Sequence, residues 1–68
     1  MKLSARNQLQ GKVVGINKGE AIANVELDVA GQRLIASITV EAVEELGLEP
    51  DAEVTVVIKA SDVMIATG

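Results

Sequence analysis

On either side of Ala30-Gly31 the chain alternates apolar and polar residues with a period of two, and this restricts its fold more than any other feature. Ala23, Val25, Leu27 and Val29 alternate with Asn24, Glu26 and Asp28, the pattern of a strand with one buried face. Beyond the break, Leu34, Ala36, Ile38 and Val40 share one face of a further strand, with Ile35, Ser37 and Thr39 on the other. Ala30-Gly31 reads as a tight hairpin turn. Ala30 is a poor residue for positive φ, so a three-residue loop with Gly31 in the left-handed position fits as well as a two-residue one. The two-residue register sets Asp28 opposite Arg33, a cross-strand pair worth ~0.2–1 kcal/mol. Arg33 is accordingly read as a solvated strand charge rather than a ligand.

The flanking segments complete the order. Gln8 to Ile16 is an apolar run holding Gly11 and Gly15, glycines of the kind that mark bulges and bends where small barrels close. Asn17-Lys18-Gly19-Glu20 reads as a turn with Gly19 available for positive φ. After Ile38 the period changes to a helical one through Val40, Val43 and Leu46, with Thr39 as N-cap, Glu41 in the first turn and Gly47 as the stop. Two turns of helix are not stable alone and must be held by packing. Glu49-Pro50-Asp51-Ala52 is a turn with Pro50 at a favoured position. Glu53 to Ile58 is a strongly β-prone strand, Lys59-Ala60-Ser61-Asp62 interrupts it, and Val63-Met64-Ile65-Ala66 is expected as a last short strand. Three strands, a short helix and two more strands is the order of an all-β, five-stranded OB-like Greek-key barrel with the helix between strands 3 and 4. It occupies one domain, residues 1–68, and leaves the ligand open.

The composition says what such a barrel lacks. In 68 residues there is no Cys, His, Phe, Tyr or Trp, yet 49% are apolar. A chain of this size buries only about 60% of the surface its unfolded form exposes. Disulfides and the usual zinc ligands are absent, which leaves association between chains as the way to complete a core. A net charge of −4 and the lack of aromatic stacking platforms argue against nucleic acid as a partner. No apolar run approaches the ~18 residues of a membrane span, and the start of the chain lacks the apolar core of a signal peptide. A cytoplasmic protein is expected.

Catalysis has little to work with. Without His or Cys, the commonest acid–base groups and the thiol nucleophile are missing, and the carboxylates fall on turns and alternating positions as a solvated surface. No calcium-loop spacing or phosphate-binding glycine fingerprint is present. What the chain offers is hydrogen-bond donors: Ser4 and Arg6 near its start, Thr39 at a helix N-terminus, and Lys59 with Ala60 and Ser61 closing an apolar strand. Helix starts favour anions. Each of these residues taken alone is more often structural, as a cap or an exposed charge.

Taken together they carry a resemblance. Ser4-Ala5-Arg6-Asn7-Gln8-Leu9 followed by Gly11-Lys12-Val13-Val14-Gly15, then Ile38-Thr39, Val43-Glu44-Glu45-Leu46-Gly47 and Lys59-Ala60-Ser61-Asp62-Val63-Met64-Ile65 resemble the molbindins, small molybdate-binding proteins built from a single Mop domain. The resemblance covers nearly the whole chain and points to the free-standing kind, without the extra regions of Mop-containing regulators and importer ATPases. It implies oxyanions held between subunits. One chain would give Ser4 and Arg6, and a neighbour would give Thr39, Lys59 and the backbone of Ala60. Ser61 would belong to a second class of site near a symmetry axis. Ala42 departs from the family, where a hydroxyl residue is frequent, and removes one donor. The resemblance also implies a hexamer arranged as a trimer of dimers.

The donor set suits the ligand. Molybdate and tungstate are fully deprotonated tetrahedral dianions near neutral pH and accept hydrogen bonds only, as Arg, Lys, hydroxyl and amide groups require. Monoprotonated phosphate needs an acceptor that these residues do not supply. The expected function is molybdate or tungstate binding for intracellular storage or buffering, without catalysis. No organic cofactor is expected, because no aromatic side chain is available to stack on a pterin. The rival readings are a nucleic-acid-binding OB module and a structural oligomer without a ligand.

Overall fold

A computed structural model describes residues 2–68. It contains four strands, β1 (Asn7–Lys18), β2 (Ile22–Val29), β3 (Gln32–Thr39) and β4 (Glu53–Ile58), and a helix, α1 (Val40–Leu46), that follows β3. A single turn of 3₁₀ helix, Ala60–Asp62, follows β4. The strands form one antiparallel sheet in the order β3-β2-β1-β4. The fold is all-β and OB-like.

The long first strand serves two partners. Its first half, Asn7 to Lys12, pairs with β4, and its second half pairs with β2 as far as Lys18 opposite Ala23. Between them the register steps from Val13↔Leu27 to Gly15↔Glu26, so Val14 is an extra residue and the strand bends there. The expected turn at residues 17–20 starts later. Asn17 and Lys18 are paired, and the connection closes with the Gly19 N–H donating to the Ile22 carbonyl at 2.8 Å. Gly19 keeps an ordinary φ. What it provides is space, since a Cβ there would sit 3.0 Å from the Ile22 oxygen.

The β2–β3 hairpin resolves the two loop lengths that the sequence allowed. Ala30 and Gly31 both adopt positive φ, 50° and 83°, and Val29 pairs with Gln32, so the loop has two residues. Asp28 lies opposite Arg33 as that register requires. The ion pair, however, runs diagonally, with Arg33 Nε 3.3 Å from Glu26 Oε1. At residues 49–52 the Ala52 N–H donates to the Glu49 carbonyl at 3.0 Å with Asp51 at φ 74°. That is a turn with Pro at its second position and the left-handed residue at its third.

Thr39 caps α1, its Oγ1 accepting from the Ala42 N–H at 3.0 Å. At the other end the Gly47 N–H donates to Glu44 and the Leu48 N–H to Val43, a Schellman closure. Val43 anchors the helix in the core, which consists of Val13, Ala23, Val25, Leu27 and Val43, with Ile16, Leu34, Ala36, Ile38, Val40, Leu48, Ala52, Val54 and Val56 packed around them. Leu46, expected on the same apolar face, is 68% exposed.

The expected fifth strand is corrected. Residues 63–66 form no ladder and leave the 3₁₀ turn exposed, Met64 and Ile65 by 92% and 90%. A strand exists only where another strand satisfies its backbone groups, and among the described residues none runs beside this segment.

Candidate functional site: two donor clusters on one face of the sheet

The register places the candidate residues. Asn7 at the start of β1 pairs with Ile58 at the end of β4, so Arg6 and Lys59 directly adjoin the pair that ends the ladder. Along β1, Gln8, Gln10 and Lys12 are exposed, and along β4, Glu53, Thr55 and Val57. Gln10 Nε2 and Thr55 Oγ1 meet at 3.5 Å on this outer face. Continued one step past the ladder, the same alternation would bring Arg6 and Lys59 to this face, whereas Ser4 lies at a bend ahead of the strand. All three are exposed.

Lys59 leads directly into the 3₁₀ turn. There the Asp62 N–H donates to the Lys59 carbonyl at 2.9 Å and the Val63 N–H to Ala60 at 3.3 Å. These bonds start only at Asp62, so the N–H groups of Ala60 and Ser61 have no acceptor among the described residues. The turn thus presents an ammonium, two amide N–H groups and the Ser61 hydroxyl. Asp62 is the one carboxylate in it.

Thr39 is elsewhere. It ends β3 opposite Ile22, next to the end of β1 that Lys18 occupies, with the 12 residues of β1, bent at Val14, between it and the Asn7 end. Arg33, Ile35 and Ser37 are exposed with it, so it shares the outer face with Arg6 and Lys59 but sits at the opposite end of β1. Because Thr39 Oγ1 accepts from Ala42, its own O–H remains a donor. Of the first helical N–H groups, Val40's goes to the Ala21 carbonyl at 2.8 Å and Ala42's to Thr39. Only the Glu41 N–H lacks an acceptor among the described residues, fewer than the sequence alone suggested.

The arrangement separates the six candidate residues into two groups. Ser4, Arg6, Lys59, Ala60 and Ser61 cluster at one end, and Thr39 stands alone at the other. Hydrogen bonds reach ~3 Å, so one small anion cannot touch both groups within a single chain. Among the described residues the one ion pair is Arg33–Glu26, which leaves Arg6 and Lys59 without carboxylate partners. No group of three or more His, Cys, Asp or Glu that could hold a metal ion occurs among the described residues, and no helix is long and apolar enough to cross a membrane.

Two concave features went unread in the sequence. A polar groove beside Gly15 is walled by Asn17, Asn24, Glu26 and Arg33. It arises because the bulge brings a glycine to the outer face, which only the register reveals. An apolar groove of about 180 Å³ lies between the edges of β3 and β4, lined by Ala36, Ile38, Leu46, Leu48, Val54 and Val56 among others. The exposure of Leu46 marks its mouth.

Residues 3–65 match the TOBE domain family. The chain is 56% identical over 66 residues to molybdenum-pterin-binding protein 1 of Clostridium pasteurianum, covering 96% of this chain and 97% of that one. Its fold superposes on a molybdate-binding protein from Sporomusa ovata with a TM-score of 0.94 at 37% identity, over 98% of this chain and all of the other. It is also similar to the cytoplasmic molybdate-binding protein ModG in a molybdate-bound form, with a TM-score of 0.89 and 46% identity. There it spans 94% of its own length and 46% of the ModG chain. Full-length identity of this order, on the same fold and with the TOBE-domain match, makes this chain a member of the molbindin family, the TOBE-domain proteins named for binding molybdenum.

Proposed function

We propose that this protein binds molybdate or tungstate at sites shared between subunits and serves as an intracellular store or buffer for the metal. The observation that carries the reading is the separation of two donor groups on one face of the sheet. Ser4, Arg6, Lys59 and the N–H of Ala60 lie at one end of β1, and the Thr39 hydroxyl lies at the other. A tetrahedral dianion needs donors on several sides, so Thr39 of one copy must approach the Arg6–Lys59 end of another to complete the shell. Arg6 and Lys59 have no carboxylate partners among the described residues, so binding an anion breaks no existing ion pair. Proteins described as molybdate-binding share this fold.

Assembly follows from the same logic. Five buried side chains are a small core, and Val14, Ile22, Ile35, Val57 and Leu46 remain exposed. A hexamer built as a trimer of dimers would cover such surface and bring the two donor groups together, and ligand would in turn stabilise the assembled form. Ser61, beside Ala60 in the turn, is assigned to a second class of anion site in that assembly. The protein acts in the cytoplasm, without catalysis and without an organic cofactor.

The test is a calorimetric titration with molybdate, and separately with tungstate, in a large excess of sulfate and phosphate. Saturable binding with at least one anion per subunit supports the reading. Binding only when sulfate is left out indicates a generic anion site, and no heat in either buffer overturns the proposal.

A further inference from the structure

We propose that Gln8 is a positioning residue for the anion site: its side-chain amide clasps the Ala5 carbonyl and so holds Ser4 and Arg6, on either side of Ala5, in the conformation that meets the ligand. The positioning role rests on the oxyanion reading above; the clasp does not.

The β1–β4 ladder begins at Asn7 opposite Ile58, so residues 2–6 lie outside it, and Ser4 sits at a bend. On the β4 side the donors beyond the ladder are held by a backbone bond across three residues, from the Asp62 N–H to the Lys59 carbonyl at 2.9 Å. On the β1 side the corresponding bond comes from a side chain, with Gln8 Nε2 donating to the Ala5 carbonyl at 3.1 Å. Among the described residues no other hydrogen bond outside the ladders involves residues 2–6. A carbonyl only accepts, so the nitrogen of the carboxamide and not its oxygen faces Ala5. Closing the three-residue span with a side chain leaves the backbone free to enter β1 extended, where a backbone closure would wind it into a helical turn. Gln8 is itself in the sheet, paired with Val57, which fixes the end from which its side chain reaches.

The consequence for the anion site follows from connectivity. Ala5 is half-buried, whereas Ser4, Arg6 and Gln8 are exposed. Ala5 is therefore tied down twice, by partial burial and by Gln8, and the two candidate donors flank it directly. With the clasp in place their backbone is ordered before the ligand arrives. Without it, that conformational entropy is lost at the moment of binding and affinity falls accordingly. Gln8 touches no ligand. Gln10, two residues along on the same face, meets Thr55 Oγ1 at 3.5 Å and so joins two strands without engaging the opening segment.

Gln8→Met keeps the length and neutrality of the side chain and removes its donor. In the full chain without ligand, the NMR order parameters of the Ala5 and Arg6 amides are expected to fall, with circular dichroism establishing that the sheet persists. Unchanged order parameters overturn the clasp. In calorimetry with molybdate the variant is expected to bind roughly three- to tenfold more weakly, the factor that one net hydrogen bond is worth. The loss is expected in the binding entropy, with the enthalpy retained, because Ser4, Arg6, Thr39 and Lys59 are intact. Unchanged affinity overturns the positioning role, and so does a loss carried by enthalpy, since Gln8 would then touch the anion itself. Gln8→Asn, whose amide is one methylene too short for the span, is an independent second variant expected to behave as Gln8→Met does. Gln10→Met is expected to bind like the parent; an equal loss there would show a general effect of surface amides and overturn the proposal. A wild-type chain with an ordered opening segment that gives no heat with molybdate would retire the oxyanion reading, and the positioning role with it, and leave the clasp in place.

Discussion

Arg6 and Lys59, 53 positions apart in sequence, directly adjoin Asn7 and Ile58, the pair that ends the β1–β4 ladder, so the ladder brings two basic residues to one end of the sheet. Neither has an acidic partner among the described residues. Two like charges near each other on an exposed surface repel, and an anion bound there, as proposed above, would relieve that repulsion while gaining charge-assisted bonds.

Arg6→Ala is therefore expected to reduce oxyanion affinity by about ten- to a hundredfold, from the ~1.5–3 kcal/mol of a hydrogen bond to a charged group. Arg6 is exposed and outside the strands, so urea unfolding of the isolated chain should change little. Calorimetry and a denaturation curve on the same sample check both halves, and unchanged affinity would remove Arg6 from the site.

Thr39 caps α1, and the proposed function gives its hydroxyl a second task, contact with the anion. Thr39→Ala loses the bond to the Ala42 N–H and is expected to cost about 1 kcal/mol of stability as well as anion affinity. Thr39→Ser should retain both. Thr39→Asp should keep the cap and hence the melting temperature, yet place a carboxylate where the anion would sit and suppress binding. An Asp variant that binds molybdate like the parent would show that the hydroxyl faces no ligand.

Ala30 carries a backbone conformation that suits it badly. At φ 50° a residue with a Cβ is strained by about 1–2 kcal/mol, and Asn tolerates that region better. Ala30→Asn should raise the unfolding free energy by about 0.5–1 kcal/mol. Gly31→Ala should lower it by about 1 kcal/mol: a Cβ at that position meets nothing within 4 Å, so the whole cost is in the backbone at φ 83°. Urea midpoints of the two variants should move in opposite directions.

Val43 is the single buried residue of α1. Val43→Ala removes two methyl groups from the core and leaves a cavity, at a cost of about 2 kcal/mol. Because two turns of helix have no stability of their own, amide exchange should quicken throughout residues 40–46 rather than at the substituted position alone. Protection confined to its parent values elsewhere in the helix would show that the Schellman closure holds α1 without its core contact.

What the amino-acid order determined alone is whatever depends on near neighbours. The alternation of Ala23, Val25 and Leu27 with Asn24, Glu26 and Asp28 placed β2 and its buried face, because side-chain direction in a strand depends only on parity. Thr39 and Gly47 bounded α1 because their bonds close within a few residues, and the family motifs were legible for the same reason: they are contiguous. The tertiary structure decided what depends on distant partners. It joined Arg33 to Glu26 rather than to Asp28, set Leu46 at the mouth of a groove instead of in the core, and brought Arg6 and Lys59 to the end of the sheet opposite Thr39. It also left residues 63–66 without a ladder. Their β propensity was plain in the sequence, but a strand is a relation between two segments, and its second segment is not supplied by local sequence.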